Sequence, residues 1–180
     1  MIKKIHKIFF IWQFDKEEKW LNEMSASGLQ LRSVGLCTYH FEQGSPGEYI
    51  YRLELLDRPP THISSVQYIH FVEDTGVEHV GSLQRWVYFR KKASLGGFDL
   101  FSDYKSRIKH LNRILLLNGA VWLLTLANCL NMSSMWIRTR ETFSLTLLIL
   151  MSAMSIVIAY GLIRILLKRH VLKKEHKLHE

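Results

Sequence analysis

ILLLNGAVWLLTLANCLNMSSMWI at residues 114–137 and TFSLTLLILMSAMSIVIAYGLI at residues 142–163 contain no Asp, Glu, Lys, Arg or His. Each is as long as the run of about 20 apolar residues that carries a helix across the hydrocarbon core of a bilayer. Buried together in a soluble fold, the two runs would need a larger core than the rest of a 180-residue chain supplies, so they read as a transmembrane hairpin. Ionisable groups inside a bilayer usually mark proton or ion paths, and their absence here counts against a pump or an ion-coupled transporter. Asn118 and the small-xxx-small pair Ser155 and Ala159 instead suit helix packing, a homodimer, or docking onto a larger membrane protein.

The flanks orient the hairpin. Lys105, Arg107, Lys109 and Arg113 lead into the first run, and Arg164, Lys168, Arg169, Lys173, Lys174 and Lys177 follow the second, against Arg138 and Arg140 in the link. The excess of positive charge on the inner side predicts a multi-pass cell-membrane protein with both termini in the cytoplasm. The four basic residues before the first run are the expected contacts to anionic lipid headgroups, at about 1 kcal/mol each. The start, MIKKIHKIFFIW, is basic then apolar, but its apolar stretch is short and Asp15, Glu17 and Glu18 follow at once, so no signal peptide is expected. Charge and hydropathy then divide the chain into a cytoplasmic domain at 1–92, a linker and basic juxtamembrane helix at 93–113, spans at 114–137 and 143–165 around an outer link at 138–142, and a basic tail at 166–180.

Composition agrees with a folded, reduced domain. Of the 180 residues 48% are hydrophobic and 22% charged, with net charge +8, and the two cysteines, Cys37 and Cys129, exclude a disulfide scaffold. Residues 6–12 read as a strand. Asp15 opens a helix with Glu18 at capping-box spacing, Trp20, Leu21 and Met24 form its apolar stripe, and Gly28 ends it. The period then drops to two, through Leu29 and Leu31, then Cys37, Tyr39 and Phe41, then, after a GSPG turn, Tyr49, Tyr51 and Leu53. Pro59 and Pro60 precede a second helix at 61–75 that Gly76 stops, and residues 77–81 and 85–91 read as a final strand pair. The expected fold is therefore α+β, β-α-β-β-β-α-β-β, with a largely antiparallel, ferredoxin-like sheet and helices on one face. Asp99 or Ser102 is placed to cap a juxtamembrane helix, and no internal repeat is visible.

These residues carry a resemblance. Glu18, Trp20, Leu21, Met24, Gly28 and Leu29, then Tyr49, Tyr51 and Arg52, then Glu73 and Gly76, then Trp86, Tyr88, Phe89, Arg90 and Lys91 resemble the bacterial family called domain of unknown function 2812, over roughly residues 5–110. The resemblance implies a small membrane protein of Gram-positive bacteria with C-terminal spans, often encoded beside a PadR-like transcriptional repressor. It brings no catalytic residue.

Candidate sites are few. Asp15, Glu17 and Glu18 form the tightest acidic cluster, which helix capping explains better than acid–base or metal chemistry. The histidines show no metal-ligand spacing, and phosphate-loop, nucleophile-elbow and dinucleotide motifs are absent, so neither cofactor, metal nor enzymatic activity is expected. The informative set is aromatic. Tyr49, Tyr51, Arg52, Trp86, Tyr88 and Arg90, with Tyr39 and Phe41, alternate along strands. They form either the core under the helices or an open face for a protein partner. Stacking on nucleic acid is disfavoured by the many acids of this half. The expected function is a membrane-tethered cytoplasmic binding module, regulatory or signalling through a protein partner such as a PadR-like regulator or another membrane protein. The alternatives are an accessory subunit of a membrane transporter and, further off, a membrane-bound enzyme using Asp15 to Glu18.

Overall fold

A computed structural model describes residues 2–100 and 104–178. The chain divides into two compact units, residues 1–103 and 104–180. In the first, β1 (Ile2–His6), α1 (Phe14–Ala26), β2 (Leu29–Gly35), β3 (Thr38–Gln43), β4 (Tyr49–Leu55), α2 (Ile63–Glu73), β5 (Glu78–Leu83) and β6 (Trp86–Lys92) follow the expected order. The second unit consists of α3 (Tyr104–Thr139) and α4 (Thr142–Leu178).

The six strands divide between two antiparallel three-stranded sheets, ordered β1-β3-β2 and β4-β6-β5. This exposes a repeat that the sequence conceals, for β1-α1-β2-β3 and β4-α2-β5-β6 have one topology. Residues 48 positions apart correspond: Gly28 and Gly76, both with positive φ, follow the helices, and Leu21 and Ile69 anchor them to the core. Phe41 and Phe89 are fully buried at the middle of each sheet. The register shifts at the same place, between Leu31 and Ser33 in β2 and between His79 and Gly81 in β5. The repeats meet where Val34 of β2 lies against Gly81 of β5; a Cβ there would stand 3.5 Å from the valine side chain.

Alternation along the strands sorts side chains into two cores. Leu21 of α1, Leu31, Tyr39 and Phe41 of the first sheet and Tyr51, Leu53 and Tyr88 of the second form one. Val87 and Phe89 point to the opposite face of β6, where they join Ile69 and Val72 of α2, Leu56, Val77 and Phe98 in the other. The second sheet is thus covered on both faces, which is why β6 reads as the near-continuous apolar run WVYF.

Several local expectations shift. β1 ends at His6 because its partner runs out. Thr38 is the last residue of β3 opposite it, and after one more bond, from the Lys7 N–H to the Cys37 carbonyl, the β2–β3 hairpin turns away. Residues 7–10 are irregular and Ile11–Gln13 form a 3₁₀ turn, so α1 starts at Phe14 with Gln13 as N-cap and no side-chain cap; the expected Asp15–Glu18 capping box does not form. Cys37 lies in the turn, at φ 53°, rather than in a strand. α2 is shorter than expected, because His62 caps it, its side chain accepting from the Ser64 N–H at 3.2 Å. The juxtamembrane segment and the first apolar run form the single helix α3, and Ser102, a proposed cap, lies outside the described residues. The link shrinks to Arg140 and Glu141, and α4 remains helical through the basic tail to Leu178. Both helices are long and apolar enough to cross a membrane.

Candidate functional site

β4 pairs with β6 on one side only, and its outer edge carries unpaired backbone groups at alternate residues. Helix α1 meets them with side chains three and four residues apart. Asn22 donates to the Tyr51 carbonyl at 3.1 Å and accepts from the Tyr51 N–H at 2.9 Å. Glu18 accepts from the Leu53 N–H at 3.1 Å, and Ser25 donates to the Tyr49 carbonyl at 2.7 Å. A helix thereby stands in for the missing strand. Glu18 also lies 3.4 Å from Arg52; burial raises its pKa and the Arg52 charge opposes that rise.

Glu17 points the other way, into the first core, where the hydroxyls of Tyr39 and Tyr88 both donate to its Oε1, at 2.7 and 2.6 Å. Burial raises the carboxyl pKa and the two phenols pull it down; the phenols themselves, raised by burial and by Glu17, stay protonated donors. This one carboxylate ties α1 to β3 of the first repeat and β6 of the second. The Tyr51 hydroxyl accepts from the Leu31 N–H at 2.8 Å and donates to Gln30 Oε1 at 3.3 Å, a second bridge between repeats. Arg90 makes a third: its Nε donates to Glu78 at 2.7 Å, its Nη1 to the Leu31 carbonyl at 3.2 Å, and its guanidinium lies 4.1 Å from the Tyr49 ring centroid.

The expected aromatic face is therefore mainly interior. Tyr39, Phe41, Tyr51 and Tyr88 are buried in the first core, Tyr49 and Trp86 are half-buried at its margin, and Arg52 and Arg90 hold backbone carbonyls. An open docking surface cannot include Tyr51 or Tyr88, because the second layer already covers that side of the sheet. Asp15, Glu17 and Glu18 likewise do not converge: Glu17 is committed to the phenols and Glu18 to β4 and Arg52. Among the described residues no three His, Cys, Asp or Glu side chains gather in metal-binding geometry.

The apolar surface lies elsewhere. Phe10 and Ile11 before α1, Leu36 at the β2–β3 turn, and Ile63 and Phe71 on the outer side of α2 are all exposed. Sequence periodicity misses them. Ile8 to Trp12 is an unbroken apolar run that no one-faced strand can bury, and this was its only signal. Of the basic residues before the first apolar run, Lys105, Arg107 and Lys109 are exposed on the first turns of α3 and Arg113 is half-buried.

The family model described as "Protein of unknown function (DUF2812)" matches residues 13–126. The chain belongs to this family. The DUF2812 match runs from the end of the 3₁₀ turn, through both repeats except β1, into the first two-thirds of α3. No curated protein and no solved structure matches the chain.

Proposed function

We propose that this DUF2812 protein is a membrane-tethered binding module whose soluble unit docks a protein partner, a PadR-like regulator or another membrane protein, in a regulatory role. In this reading each β-α-β-β repeat is a split β-α-β unit akin to the ferredoxin-like plan, α3 and α4 cross the cell membrane, and both termini are cytoplasmic. At 1.5 Å per residue the 36 and 37 residues of the helices extend over about 54 Å, well beyond a hydrocarbon core of about 30 Å, so their basic ends project past it. Lys105, Arg107, Lys109 and Arg113 then stand at the depth of the headgroups.

The observation that carries docking is the outer side of α2. Ile63 and Phe71 are each 67% exposed, two turns apart, with uncharged Ser64 and Gln67 between them. Large apolar side chains exposed on one helical surface suit burial by a protein groove, where such anchors carry most of the binding energy.

The test is in-cell crosslinking and affinity purification of the tagged full chain beside Ile63→Glu with Phe71→Glu. Both sites are exposed, so the fold should survive. A partner recovered in near-equal amount and depleted at least about tenfold in the variant supports the reading. Equal recovery from both refutes it. Exchanging α3 and α4 for an unrelated two-span hairpin tests the transporter-subunit alternative, since a tethered module keeps its partner and a subunit recognised through its spans loses it.

A further inference from the structure

The segment from Ile8 to Trp12 leaves β1 where its partner strand turns away, and Ile8 is 68%, Phe10 48% and Ile11 39% exposed. It is nonetheless ordered. Phe10 stacks on Trp12 with ring centroids 4.7 Å apart, and the Phe10 N–H donates to the Gln13 side chain at 3.1 Å. The Lys7–Cys37 backbone bond holds the β2–β3 turn beside the segment, which adds Leu36, 77% exposed, to the same end of the first sheet. Lys3 and Lys4 are exposed on β1 and Lys7 just after it, and no acidic residue occurs before Asp15.

Protection of a sheet edge explains Lys3 and Lys4, since β1 is an outer strand. It does not explain four large apolar side chains turned to solvent. Protein interfaces are depleted of lysine, whereas an anionic bilayer surface takes this mixture: aliphatic and Phe side chains enter the acyl boundary, Trp settles among the headgroups, and lysines meet the phosphates. Such a surface is also close by. Phe98 is buried in the second core and Tyr104 opens α3, and the five residues between them reach no more than roughly 20 Å when fully extended. A tether this short gives the patch a high effective concentration of lipid.

We propose that Ile8, Phe10, Ile11, Trp12 and Leu36, with Lys3, Lys4 and Lys7, form a docking patch for anionic phospholipid that lays the soluble unit on the bilayer. The inference rests on α3 and α4 being membrane spans. Docking through this patch leaves α2, which packs on the far face of the second sheet, free for a partner.

The full chain carrying Cys37→Ser and Cys129→Ala receives an environment-sensitive fluorophore at Phe10→Cys or, as a reference, at the exposed Gln67→Cys of α2. It is reconstituted in phosphatidylcholine vesicles with or without phosphatidylglycerol. The expected result is a blue-shifted label at position 10, shielded from aqueous iodide relative to position 67, only when the anionic lipid is present. Lys3→Glu with Lys4→Glu should weaken the shielded state by at least about fivefold per lysine, since each reversal removes an attraction and adds a repulsion. Equal quenching at both positions in both vesicles overturns the proposal. Shielding that ignores the anionic lipid and the lysine reversals but fades as protein is diluted into lipid also overturns it, in favour of a contact between copies. Carbonate extraction of the same vesicles reports the spans independently: an extractable chain overturns the tether and this inference with it, whereas a resistant chain with an exposed position 10 overturns the patch alone.

Discussion

Asn22→Leu should open the outer edge of β4 without unfolding the rest of the first unit. Leucine has the branched four-heavy-atom skeleton of asparagine but offers neither donor nor acceptor, so the Tyr51 N–H loses its partner at 2.9 Å, and the Tyr51 carbonyl loses one donor at 3.1 Å while keeping its bond from Arg52 Nη1. A buried backbone group left unpaired costs about 1–3 kcal/mol. Asn22 is only half-buried, so water will reach part of the gap, and the two losses together should come to roughly 1–2 kcal/mol, most of it from the N–H. At about 1.4 kcal/mol per factor of ten, local opening of β4 becomes roughly 5- to 30-fold more frequent. Hydrogen exchange read by mass spectrometry on the full chain in lipid vesicles follows this directly through peptides covering residues 49–55, with peptides from β3 as the reference. The variant should exchange faster in β4 while β3 remains protected. Exchange in β4 within about threefold of the wild type would show that the Asn22 bridge does not seal the edge. A uniform acceleration across both sheets would equally refute the local account, since it would mean that α1 holds the whole unit together rather than one strand edge.

Two further outcomes follow from the same contacts. Burial raises the Glu17 pKa above its ordinary value of 4.5, the phenols of Tyr88 and Tyr39 opposing it, so the native state holds its proton more tightly than the unfolded chain does. The resulting stabilisation is complete below pH 4.5 and is lost as the pH rises through the native value; Glu17→Gln keeps an acceptor for both phenols and does not titrate. Urea unfolding followed by tyrosine near-UV dichroism should show the wild type weakening relative to Glu17→Gln as the pH is raised, and a pH-independent difference would contradict the burial argument. The second outcome concerns Gly28 and Gly47, which have φ of 82° and 70°, but a Cβ on Gly28 would stand 3.1 Å from the Gly44 carbonyl while one on Gly47 meets nothing within 4 Å. Gly47→Ala should cost about 1–2 kcal/mol, the left-handed penalty alone, and Gly28→Ala about 1–3 kcal/mol more from crowding. Equal denaturation midpoints for the two variants would rule out the close approach.

What the sequence by itself determined was local. Periods of two and of about 3.6, glycines after helices and two uncharged apolar runs are properties of neighbouring residues, and they sufficed for the order of the strands and helices among the described residues and for the family. Burial of the aromatic strands was not legible in this way. Tyr51 and Tyr88 alternate as an exposed face would, and only the packing of one sheet and α1 onto the other turns that face into core. The repeat stayed hidden for a related reason. Topology constrains the volume and polarity of a position more than its identity, so Leu21 could pair with Ile69 and Tyr39 with Val87 while Phe41 and Phe89 alone kept the residue at the sheet centres. The two roles of Glu17 and Glu18 show the same limit. Adjacent on α1, they project about 100° apart, and whether a carboxylate meets two phenols in a core or a strand edge and an arginine depends on what lies on each side of the helix, which no run of neighbouring residues encodes.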